Sequence, residues 1–111
     1  MPSAAEVQPQ KWSAIRVLYD DDEYSVIAGF YEVPTRRVLG ERWNGHNDSP
    51  IGFPNVAGYP IWHVVPSFME RSVLHAILDE LATHPHASSP EHVQAVLDEL
   101  QRINQTQAAQ T

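Results

Sequence analysis

Apolar and polar residues alternate through the first half of the chain, and apolar residues recur at helical spacing through the last third. Ala14-Ile15-Arg16-Val17-Leu18-Tyr19 is rich in β-branched residues, with Ile15, Val17 and Tyr19 on one face at period two, which predicts a strand. Asp20-Asp21-Asp22 ends it, because aspartate carboxylates accept from nearby backbone N–H groups and favour turns. Residues 23–33 predict a second strand, with Tyr24, Val26, Ala28 and Phe30 on one face and Ile27 and Tyr31 on the other. Apolar residues on both faces predict a central strand covered on both sides. Gly29 within it marks a bulge or a close backbone approach. Pro34-Thr35 supplies a turn, residues 36–43 a third strand, and residues 61–65 a short fourth.

The pattern then changes period. Ser67-Phe68-Met69-Glu70 reads as a capping box, followed by a stripe of Leu74, Ile77, Leu78 and Leu81 in a helix that ends near Thr83. Ser89-Pro90-Glu91 opens a second helix, with Val93, Val96, Leu97, Leu100 and Ile103 as its stripe. Asp79, Glu80, Asp98 and Glu99 fall off the stripes and are assigned to wet faces. The predicted fold is α+β: an antiparallel β-meander of three to four strands with a C-terminal αα-hairpin packed on one face. Ile15, Val17, Tyr24, Val26 and Phe30 are expected to meet Leu74, Ile77, Leu78 and Leu97. Residues 1–10 read as a flexible arm, 11–103 as one domain, and the uncharged polar residues 104–111 as a disordered tail.

Between the two regimes lies a segment of another kind. Residues 40–66 hold four of the five glycines and four of the nine prolines, interleaved with Phe53 and Tyr59. Proline lacks the N–H and glycine loses most entropy on ordering, so no long helix forms there. Asn44-Gly45 is a type I′ turn signal. Residues 44–59 show no regular element, and a stretch of that length is functional or disordered; its aromatic residues argue against disorder.

Composition narrows the chemistry. The chain has 111 residues and carries a net charge of −7 from fourteen acids against seven lysines and arginines, which disfavours a nucleic-acid partner. Arg36, Arg37 and Arg42 are too few to offset that balance. The absence of cysteine excludes a disulfide scaffold, a thiol nucleophile and a cysteine zinc site. Six histidines remain as soft ligands, His84 and His86 among them, but their spacing matches no metal motif, and neither a metal nor another cofactor is expected. No apolar run is long enough to span a membrane, and the polar start lacks a secretion signal, so a cytoplasmic protein is expected. None of the serines lies in a nucleophile-elbow pattern.

Two functional readings follow. The first is a small acidic, non-catalytic protein-interaction module, a regulator, inhibitor or antitoxin- or immunity-like protein. It self-associates and binds a protein partner of basic character, with Asp20-Asp21-Asp22-Glu23 as a steering prong. The second is a small enzyme or ligand-binding protein with its site in residues 42–63. There Arg42 would hold an anion and His46, paired with Asp48, would serve as an acid–base group. Trp43, Tyr59 and Trp62 would form the wall, with Asn44 and His63 as further polar groups.

Overall fold

The computed structural model describes residues 3–32, 37–46, 48–83 and 90–109. The turn expected at Pro34-Thr35, Arg36, the histidines His84 and His86, and the helix start expected at Ser89 lie outside these residues. Strands β1 (Trp12–Asp20), β2 (Tyr24–Tyr31), β3 (Arg37–Trp43) and β6 (His63–Val64) form an antiparallel sheet in the order β1-β2-β3-β6. Strands β4 (Asn55–Val56) and β5 (Tyr59–Pro60) form a separate small hairpin. Helices α1 (Glu70–Thr83) and α2 (Pro90–Ala109) follow and pack together on the sheet. This is the α+β meander with a helical pair that the periodicities predict. No helix among the described residues is long and apolar enough to cross a membrane.

The sheet is buried on both sides. Toward the helices, Tyr19, Val26, Ala28 and Leu39 pack with Leu74, Ile77, Leu81, Val96 and Leu100. The opposite face is closed by Trp12, Ile27, Val38 and Trp62 together with Ala4 and Val7 from the N-terminal segment. Residues 3–10 therefore lie on the sheet instead of forming a separate arm. Ala4 N donates to Asp20 Oδ2 at 2.9 Å, and the Trp62 indole N–H donates to Val7 O at 2.9 Å. Burial of Ala4 and Val7 fixes the apolar side of the same contact.

Strand β1 corrects one expectation. Its pairing with β2 slips between Ser13 and Arg16 and again between Val17 and Tyr19. Each bulge adds an unpaired residue and resets the alternation of side chains. Leu18 and Tyr19 thus both face the helices, while Ile15 and Val17 turn to the opposite face. Ala14, at φ 51°, supplies the left-handed residue of the first bulge. Gly29 lies opposite that bulge, where a Cβ would stand 3.2 Å from the Trp12 ring. A Cβ on Gly40 would stand 2.9 Å from the same ring and 3.0 Å from Trp62 Cβ. The two glycines make the flat floor on which Trp12 rests.

The helices bring further corrections. Pro66 takes the N-cap position of a 3₁₀ turn over Ser67–Met69, so Ser67 sits inside the turn and α1 begins at Glu70. The buried stripe of α2 is rotated toward Ala95, Val96, Glu99, Leu100 and Ile103, which leaves Leu97 45 % exposed. Glu99 is inside because its two oxygens accept from Arg37 Nε at 2.6 Å and Arg102 Nε at 2.7 Å. Helix α2 also continues through residues 104–109, which the sequence assigns to the tail.

Candidate functional site

The acidic run builds one rim of the site. Asp20 Oδ1 accepts from Asp22 N at 2.9 Å, and Asp21 Oδ1 accepts from Glu23 N at 2.9 Å and Tyr24 N at 2.7 Å. These side-chain bonds close the turn between β1 and β2, with Asp22 in the left-handed region at φ 76°. They also act on Asp21 itself. Burial alone would raise its pKa, but the two N–H groups and the Tyr19 hydroxyl, 2.9 Å away, outweigh burial and hold it below the usual 3.8.

A stability prediction follows from that direction. A carboxyl with a lowered folded-state pKa contributes stability above its unfolded value and loses it as pH falls through the folded one. Asp21→Asn should therefore lower the melting temperature by roughly a few degrees at neutral pH. The gap should persist down to about pH 4 and close below it. Melting curves of the two proteins across that range check it, and a gap unchanged at the acid end would contradict it.

The second rim comes from the end of β3 and the loop that follows. Trp43 pairs across the strands with Tyr24, their rings 4.8 Å apart and steeply inclined at 69°. The next residue turns inward. Asn44 is buried, accepts from Ser25 Oγ at 2.6 Å, donates to Asp20 Oδ1 at 3.0 Å, and its backbone N–H donates to Glu23 O at 2.7 Å. It joins three segments through one amide. Asn44→Ala should cost about 1–3 kcal/mol, because the Ser25 hydroxyl and Asp20 lose a buried partner. Urea unfolding followed by circular dichroism measures it, and a loss near zero would show that water replaces the amide.

The chain reverses between His46 and Ser49, whose backbones exchange two hydrogen bonds of 3.0 Å. The turn thus lies beyond the Asn44-Gly45 position that the sequence signals. The chain then returns to Trp43: Trp43 N donates to Phe53 O at 2.7 Å and Phe53 N to Trp43 O at 3.0 Å. Arg42 secures this loop from below. It is 1 % exposed and donates from Nε to Ile61 O at 3.1 Å and from Nη2 to Ile51 O at 2.5 Å. Burial lowers its pKa. The result is a cavity of about 460 Å³ between the rims, lined by Glu23, Trp43, His46, Ser49 and Phe53 over the backbone of Gly45 and Gly52.

The residues singled out in the sequence separate into groups. Trp43 and His46 line this cavity, and Asp48 is exposed beside it, its N–H donating to His46 Nδ1 at 3.2 Å. Arg42 and Asn44 are buried and spend donors on the protein itself, so Arg42 does not present an anion-holding fork to solvent. Trp62 is buried under the N-terminal segment. Tyr59 is exposed on the β4–β5 hairpin and borders a different opening, beside residues 6–10. His63 is exposed, with Nδ1 3.5 Å from Glu41 Oε1. Glu23 and Phe53 join the site without having been singled out for it. Phe53 lay in the loop read as functional and Glu23 in the acidic run, but only the Trp43–Phe53 pairing brings them to one cavity. Among the described residues, no three histidines or acids are grouped to hold a metal ion.

Comparison with known proteins found no matching family model, no similar curated protein and no matching solved structure.

Proposed function

We propose that this protein is a non-catalytic interaction module whose binding face is the ledge formed by Trp43 and Phe53 beside the acidic turn. The observation that carries the reading is their exposure, 57 % for Trp43 and 68 % for Phe53, in side chains held next to each other by paired backbone hydrogen bonds. Large aromatic surface kept in water by rigid backbone is costly unless a partner covers it, and aromatic anchors dominate interface energetics. The partner is a protein segment of basic character. Glu23 lines the cavity beside the ledge, Asp21 and Glu41 line the neighbouring opening beyond Tyr24, and the chain carries an excess of seven negative charges. A second copy is the less favoured occupant of this face, because it would bring two acidic rims together.

The enzyme reading is the weaker one. His46 and Asp48 sit on an exposed turn, and Arg42 lies beneath the loop. The deciding experiment probes an array of short random peptides with labelled wild-type protein and with a Trp43→Ser/Phe53→Ser variant whose melting is first shown to be intact. Retained peptides should be rich in lysine and arginine and lost with the variant. Retention that ignores peptide charge, or survives the double substitution, would overturn the reading.

A further inference from the structure

A second cavity, of about 290 Å³, opens on the other side of the Tyr24–Trp43 pair, between the sheet and α1. Its walls are apolar: Val26 from β2, and Val73, Ala76 and Ile77 from α1. Its polar groups are two tyrosine–carboxylate pairs. The Tyr19 hydroxyl donates to Asp21 Oδ2 at 2.9 Å, and the Tyr24 hydroxyl donates to Glu41 Oε2 at 2.6 Å. Burial and the adjoining carboxylates keep both phenols protonated, Tyr19 pushed up to about 12 and Tyr24 raised further. Glu80 adds a third carboxylate at the opening, and among the described residues no lysine or arginine lines it.

We infer that this cavity receives the side chain of a lysine on the protein partner. The inference rests on the function proposed above and names one anchor of that interaction. An apolar slot with carboxylates at its end matches a chain of methylenes that carries a compact charge. The disposition of the oxygens selects ammonium over guanidinium. Arginine takes carboxylates best through two parallel bonds to a free pair of oxygens. Here one oxygen of each carboxylate already accepts from a tyrosine, and Asp21 Oδ1 accepts from two backbone N–H groups. Single-point donors directed at several oxygens are what an ammonium supplies. The Tyr24 ring adds a face for the cation.

The test titrates N-acetyl-lysine methylamide into the full chain and follows the methyl resonances of Val73, Ala76 and Ile77. The norleucine and arginine counterparts and free cadaverine serve as comparisons. The lysine derivative should shift these methyls to saturation, at least tenfold more tightly than norleucine and more tightly than arginine. Glu41→Gln, which keeps an acceptor for Tyr24, should weaken it about tenfold. Equal binding of norleucine, indifference to Glu41→Gln, or no shift at all would overturn the inference. Tighter binding of cadaverine would assign the cavity to a free polyamine and also overturn it. Peptide binding at the aromatic ledge without the methyl shifts refutes the lysine slot alone, and loss of both refutes the function as well.

Discussion

Glu99→Ala is expected to destabilise the fold by about 3–5 kcal/mol, the cost of breaking a buried ion pair by removing one partner. Glu99 is 4 % exposed, and each of its oxygens holds a different arginine, Arg37 on β3 and Arg102 on α2. Arg37 in turn donates to Ala14 O at 3.2 Å and lies over the Phe30 ring, so the carboxylate ties α2 to three strands. Removing it leaves two partly buried guanidinium groups without their carboxylate. A loss of that size is a large share of the 5–15 kcal/mol typical of a small domain. Urea unfolding of the variant measures it. A loss below about 1 kcal/mol would mean that the pair behaves as a solvated surface bridge.

Gly52→Ala is expected to cost at least about 3 kcal/mol and to dismantle the site while leaving the helices in place. Gly52 has φ +78°, a conformation L residues adopt with strain, and a Cβ there would overlap the backbone of Trp43 and Asn44. Relief requires parting the Trp43–Phe53 hydrogen bonds, which carry both aromatic anchors of the cavity. Near-ultraviolet circular dichroism should lose part of its aromatic signal while the far-ultraviolet helical signal persists. Retention of both signals at wild-type stability would show that the loop accommodates the Cβ.

How far the fold was legible depended on where periodicity governs. The face of Tyr24, Val26 and Ala28 and the stripe of Leu74, Ile77 and Leu81 follow directly from spacing two and from helical spacing. Strand β1 defeats the same rule because two bulges turn Ile15 and Val17 away from the helices, and an inserted residue leaves no mark in a local pattern. Glu99 lies off the apolar stripe, and its burial rests on the distant Arg37 as well as on Arg102 one turn on. In the loop, Arg42 and Asn44 looked like ligand groups because they are polar among aromatics. Their partners are the carbonyls of Ile51 and Ile61 and the side chains of Ser25 and Asp20, which only tertiary structure brings near. Ala4 and Val7 likewise give no periodic signal, yet they cover the second face of the sheet.

If the exposed aromatic ledge on this acidic face binds a basic protein segment, the tryptophans provide a direct readout. Trp12 and Trp62 are buried at 7 % and 3 % exposure, while Trp43 is 57 % exposed, so a ligand-dependent fluorescence change reports the ledge. Titration with a basic peptide retained on the array should change that fluorescence saturably. The affinity should fall as salt is raised, because the screening length shortens. Phe53→Ser should weaken it, with the melting temperature held near the wild-type value. A fluorescence signal that does not respond to the peptide, or an affinity indifferent to both salt and Phe53→Ser, would show that the ledge is not the binding face.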